Sequence, residues 1–179
     1  VGFDYRESRF RVSDTGRALE VHVGEGLTVT IRGQRFVLTH MSFHTPSEIT
    51  VNGWISPLAV HFHHHDQAGM QAVVAVSFQG GGVPHPVLQQ ILNAMPIDRG
   101  AWHMPQTTIE PGALVPEDPA YFLFLGSLST PPCTEGVTWV AMKTPVVASD
   151  EQIAVLRRLH PDNARPVQAL NDRLVLESR

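Results

Sequence analysis

Ten histidines are present, and four of them fall within the five residues from His61 to His65. Neutral imidazole is the usual zinc ligand, and a catalytic zinc site takes three protein ligands while leaving a fourth position to water. A second run, THMSFHTPSE from Thr39 to Glu48, adds His40 and His44. Side chains two apart on a strand share a face. His40, Ser42 and His44 therefore line one face of the first strand, and Ala59, His61, His63 and, at its end, His65 line one face of the second. If the two strands are neighbours, four or five imidazoles converge. The same histidines also suit a polar rim at a strand end, and these residues alone leave both readings open.

The elements that would position them are mostly strands. Ala18–Val23, Leu27–Arg32, Phe36–Phe43, Leu58–His64 and Ala72–Phe78 are short runs of β-branched, aromatic and alternating residues separated by Gly, Asp, Asn or Pro. Tyr121–Leu125, Gly136–Lys143 and Arg173–Leu176 extend the pattern. Helical spacing is clear in two places. Pro86–Met95 has proline in its first turn, and Ser149–Leu159 opens on a capping serine, with acids in its first turn and arginines in its last. The segments 79–86 and 97–119 read as surface loops within one domain.

At 179 residues, 42% hydrophobic and 17% charged, the chain suits a single globular domain with a sizeable core. Its net charge of -4 offers no basic field for a phosphate backbone, which argues against nucleic acid as a partner. No stretch approaches the roughly 18 apolar residues of a transmembrane helix. The single Cys133 has no partner within the chain.

Three strings change the balance between metal site and polar rim. FHTPSE at Phe43–Glu48, LAVHFHHH at Leu58–His65 and LGSLSTPPCTEGVTW at Leu125–Trp139 resemble blocks of the α-class carbonic anhydrases, particularly the bacterial branch. There FHFHTPSEH, MHLVH and GSLTTPPC(S/T)EGV(R/T)W occur in the same order. The likeness continues through VVASDEQIAVLRRL and DNARPVQALNDRLV to the C-terminus. It implies a mostly β fold, an α-carbonic-anhydrase-like single domain over 1–179 with a large, twisted, mainly antiparallel sheet and a few short helices. It implies zinc on the central strands, and CO2 and bicarbonate as substrate and product. The family's N-terminal segment is not recognisable here. The cysteine that it pairs with the one in PPC is absent, which suggests an excerpt of a longer protein and an extracytoplasmic, periplasmic or secreted, origin.

Matched position by position, the resemblance places the second zinc ligand on His44 and the third on His61, while the first has become Ser42. Serine hydroxyl is a poor zinc ligand at neutral pH. Ala59 stands where a glutamate orients the third ligand, a loss that typically weakens affinity or activity about 10- to 100-fold. Asn163 and Arg165 keep the family's pattern near the C-terminus, where the acceptor for the second ligand is expected. Ser129 replaces the threonine that accepts the proton of the attacking hydroxide, Glu48 is its carboxylate partner, and Thr130 follows as usual. Val73, Leu128, Val137 and Trp139 match the CO2 pocket, and His63 intrudes on a position that is normally apolar. Arg17 replaces the proton-shuttle histidine, and arginine cannot relay protons near pH 7.

These changes lead to one expectation and one alternative. The expectation is a carbonic-anhydrase-related protein with a degraded, weak or absent zinc site, without hydratase activity, serving a binding or assembly role with a protein partner. The alternative is a metal-dependent carbonic anhydrase with a relocated site, in which His44 and His61 are joined by His40 or His63, either of which shares a strand face with a ligand.

Overall fold

The computed structural model describes residues 1–178. Its central sheet is built mainly from eight longer strands: β1 (Ser8–Asp14), β2 (Leu19–Val23), β3 (Thr28–Ile31), β4 (Gln34–His44), β5 (Leu58–His65), β6 (Gln71–Gln79), β7 (Tyr121–Ser127) and β8 (Glu135–Met142). Short pairs at Gly2–Asp4, Trp102–His103, Thr108–Ile109, Val146–Val147 and Leu176–Glu177 complete thirteen strands. Along its main path the longer strands run β1-β2-β4-β5-β6-β8-β7, and β3 pairs with β4. All of these pairings are antiparallel except β6 with β8. The central strands are covered on both faces, so β6 reads as a nearly continuous apolar run, AVVAV, instead of an alternating one.

The two faces of β5 separate core from site. Leu58, Val60 and Phe62 point into the main apolar core with Met41, Phe43 and Phe78. Ala59, His61 and His63 point the other way, as their period of two requires.

Helix α1 (Pro86–Asn93) buries Val87, Leu88, Ile91 and Leu92. Helix α2 (Asp150–Leu159) begins with a capping box in which the Ser149 hydroxyl accepts from Gln152 N–H and the Gln152 side chain reaches back to Ser149 N–H. The same Gln152 amide holds His85, the residue before α1, through its backbone N–H and C=O.

The expected strands and helices are present with ends shifted by a residue or two, apart from the last. Arg173–Leu176 is strand only from Leu176, because the Arg173 N–H closes a turn onto Leu170 O. The region 97–119 is less of a free loop than its prolines suggest. It pairs twice with β1 and buries Ile109 and Leu114 in the core. Strand β1, where charged residues alternate with apolar ones, was not among the expected elements; its positions 8, 10, 12 and 14 are buried. No helix among the described residues is long and apolar enough to cross a membrane.

Candidate metal centre

Register places the polar groups of one sheet face in rows. Glu20 on β2 lies opposite Ser42 on β4, which lies opposite His61 on β5 and then Ala75 on β6. In the next row His22, His40, His63 and Val73 are neighbours, and Val73 lies opposite Trp139 on β8. His44 faces Ala59. The row through His40 depends on a bulge between Leu38 and His40, where the Thr39 hydroxyl donates to His63 O at 2.8 Å.

His44, His61 and His63 can each offer one ring nitrogen within 4.8 Å of the others. His63 reaches across to Ser42, whose Oγ lies 2.8 Å from His63 Nε2 and 2.8 Å from His44 Nε2. An imidazole from the opposite strand thus lies beside position 42. His40 stays outside this group. Its ring stacks on His63 at 4.4 Å and on His22 at 5.4 Å, and its Nδ1 contacts the Thr39 hydroxyl at 3.0 Å. Of the two histidines proposed to complete a relocated set, the geometry brings in His63 and makes His40 a wall behind it. His65 is exposed at the strand end.

The set suits a metal ion by its donor chemistry and by its unpaired atoms. His61 is fully buried, yet neither of its ring nitrogens has a hydrogen-bond partner. An unsatisfied buried polar group costs roughly 1–3 kcal/mol, so the chain carries a penalty here that a bound cation would relieve. Burial also pushes His61 and His63 well below the ordinary imidazole range, an effect that neighbouring histidines reinforce. Both rings are thus neutral near pH 7, as ligands must be.

Glu48 lies beside His44 and His61. Burial alone would raise its pKa, but contacts with the His44 imidazole, Arg165 N–H and the Ser129 hydroxyl outweigh that and keep the carboxylate ionised. Asn163 ties the end of β4 to the C-terminal segment, accepting from Thr45 N–H and donating to Phe43 O. It does not meet His44 Nδ1, which faces Glu48 Oε1 at 3.3 Å. The carboxylate beside His44 is thus Glu48, four residues along the chain.

The apolar residues singled out from the sequence come together. Val73, Val137 and Trp139 form a small buried cluster with Ala75, against which Leu128 packs. The Trp139 ring meets His61 edge-on at 5.0 Å. Gly126 permits this: a Cβ there would fall 2.9 Å from the indole, whose Nε1–H donates to Ser127 O. Thr130 is exposed, and its carbonyl accepts from Cys133 N–H. Arg17 is exposed in the hairpin between β1 and β2. Glu20 and His22 went unnoticed in the sequence although their spacing puts them on one strand face; what was unreadable is that this strand pairs with the His40 strand.

The family model for eukaryotic-type carbonic anhydrase matches residues 1–179. The carbonic anhydrase of Nostoc sp. is 35% identical over 176 residues, spanning 98% of this chain and 66% of that protein. That of Klebsiella pneumoniae is 41% identical over 151 residues, spanning 84% of this chain and 61% of that protein. The chain thus spans just under two thirds of the length of these two relatives. Among solved structures, Photobacterium profundum α-carbonic anhydrase superposes with a TM-score of 0.93 at 36% identity, over 98% of this chain and 80% of that one. A hyperthermostable carbonic anhydrase from an active hydrothermal vent chimney gives a TM-score of 0.95 at 34% identity, over 99% and 80%. With the fold, the site face and the family blocks in agreement, the chain belongs to the eukaryotic-type, or α, carbonic anhydrase family.

Proposed function

We propose that the chain is a metal-dependent carbonic anhydrase, converting CO2 and water to bicarbonate and a proton, with zinc held by His44, His61 and His63. The observation that carries this reading is His61, fully buried with both ring nitrogens unpartnered and two further imidazoles within reach. Zinc, when bound, supplies the Lewis acidity that makes water nucleophilic near neutral pH.

The chain's own residues account for the remainder. The Ser129 hydroxyl has one proton to give, and donating it to Glu48 leaves its oxygen only to accept, so it orients the attacking oxygen by accepting a hydrogen bond from it. Val73, Leu128, Val137 and Trp139 offer an apolar wall beside His61 where CO2 sheds water. Arg17 cannot carry protons away, so turnover depends on buffer.

Two features favour an inactive scaffold with a binding role as the second reading: Ser42 replaces a ligand, and Ala59, 1% exposed, offers no carboxylate to His61. Stopped-flow CO2 hydration by the zinc-loaded protein separates the two. Hydration well above the uncatalysed rate that a chelator abolishes supports the enzyme; a zinc-loaded protein at the background rate supports the scaffold.

A further inference from the structure

The row that carries His63 runs on from the metal cluster toward solvent. His63 stacks on His40 with 4.4 Å between ring centroids, and His40 stacks on His22 at 5.4 Å. Its β2 end is open: the side chains of His22 and Glu20 are 33% and 27% exposed, whereas His61 in the cluster is fully buried.

Glu20 and His22 form a pair on this face. His22 Nε2 lies 3.3 Å from Glu20 Oε2, and that contact is the main cause that holds the Glu20 carboxyl below the usual carboxylate range, against a half-buried setting that would raise it. Glu20 stands opposite Ser42, whose hydroxyl touches His44 and His63, so the pair sits one strand beyond the cluster. The other groups facing His22 are His40 across β4 and Arg11 across β1. The Arg11 guanidinium is turned onto the Trp102 ring, 5.5 Å from its centroid. A ring held by a carboxylate at one nitrogen keeps the other free to take a proton, and imidazole is the side chain that gains and loses one near pH 7.

Hydration of CO2 releases one proton per turnover, and Arg17 cannot relay it. We infer that His22 is the residue that hands this proton to buffer: the proton leaves the cluster by water along the histidine row, is taken up at His22 Nδ1 while Nε2–H stays on Glu20, and passes to buffer at the open end. His40 walls the path and carries no proton. This rests on the hydratase reading of His44, His61 and His63.

Buffer size tests it. A bulky sulfonate buffer reaches the open end at His22, whereas a small one such as imidazole also reaches past it to the cluster. Zinc-loaded wild type is expected to turn over at similar rates in the two. His22→Ala is expected to lose about 10- to 100-fold in kcat in the bulky buffer and to regain it in imidazole. Its kcat/KM should hold, because the proton leaves after bicarbonate has formed, and its zinc content and melting temperature should match wild type. A second readout needs no turnover. In the metal-free protein, carbon-13 NMR should find the Glu20 carboxyl titrating at higher pH in His22→Ala than in wild type. Wild-type turnover by His22→Ala in the bulky buffer, a loss that imidazole does not restore, or an unmoved Glu20 titration overturns the inference and leaves the hydratase reading standing. A zinc-loaded wild type that hydrates CO2 in neither buffer overturns both.

Discussion

Ser42 Oγ lies 2.8 Å from His63 Nε2, so a hydroxyl on β4 and an imidazole on β5 meet in space that a histidine at position 42 would occupy. In the proposed metal site the short Ser42 side chain leaves room and His63 crosses the strand gap to use it. This coupling between facing residues makes the substitutions at 42 and 63 testable as a pair.

Ser42→His alone is expected to lower stability and to leave hydratase activity no higher, because two imidazoles then compete for one space; overpacking a well-filled site costs typically about 1–3 kcal/mol. Ser42→His combined with His63→Val removes the competition and should recover both. Melting temperature and stopped-flow hydration on the two variants check this.

His40 supports His63 by stacking and does not reach the ligand group. His40→Ala is expected to keep bound zinc and to weaken its affinity by less than the roughly 10- to 100-fold that losing a hydrogen-bonded outer partner costs, because His40 only stacks on His63. Chelator competition on that variant measures it, and complete loss of zinc would make His40 a ligand.

Val73 sits opposite His63 in the β5–β6 register and belongs to the apolar cluster with Trp139. Val73→Phe should fill the apolar wall at which, in the proposed function, CO2 sheds water. Hydration is expected to slow by an order of magnitude or more, ~1.4 kcal/mol of barrier or greater, with zinc content unchanged.

His64 gives the fold an acid sensitivity on the core face. Its Nδ1–H donates to Ala72 O, its Nε2 accepts from the Tyr5 hydroxyl at 2.6 Å, and burial lowers its pKa to about 3. A buried neutral histidine takes up its proton more readily once unfolded. Its contribution is therefore complete above the unfolded pKa of about 6.5 and is lost as pH falls from there toward the folded value. Stability of the metal-free protein should drop by about 1.4 kcal/mol per pH unit for this proton, and His64→Gln should remove that slope from denaturant titrations between pH 6 and 4.

Much of this was legible in the chain. Period-two alternation alone separates the His61 and His63 face from the Phe62 and His64 face, because strand geometry permits nothing else. The capping serine of α2 and the proline opening α1 read correctly because helix ends are set by local chemistry. The family blocks identified Ser42 and Ala59 as departures. Two things were not legible. Whether His40 or His63 completes the set depends on the bulge after Leu38 and on which ring tilts across the strand gap, and neither has a local signal. That Glu48 faces His44 and His61 depends on the path of the chain after β4, where the Arg165 backbone pins the carboxylate from 117 residues away.

Every proposed step depends on a metal held by His44, His61 and His63. Elemental analysis of the purified chain, with His63→Ala and Ser42→Ala alongside, tests it most directly. About one zinc per wild-type chain is expected, lost on His63→Ala and kept on Ser42→Ala. A wild-type chain without zinc, or zinc kept by His63→Ala and lost by Ser42→Ala, would contradict it.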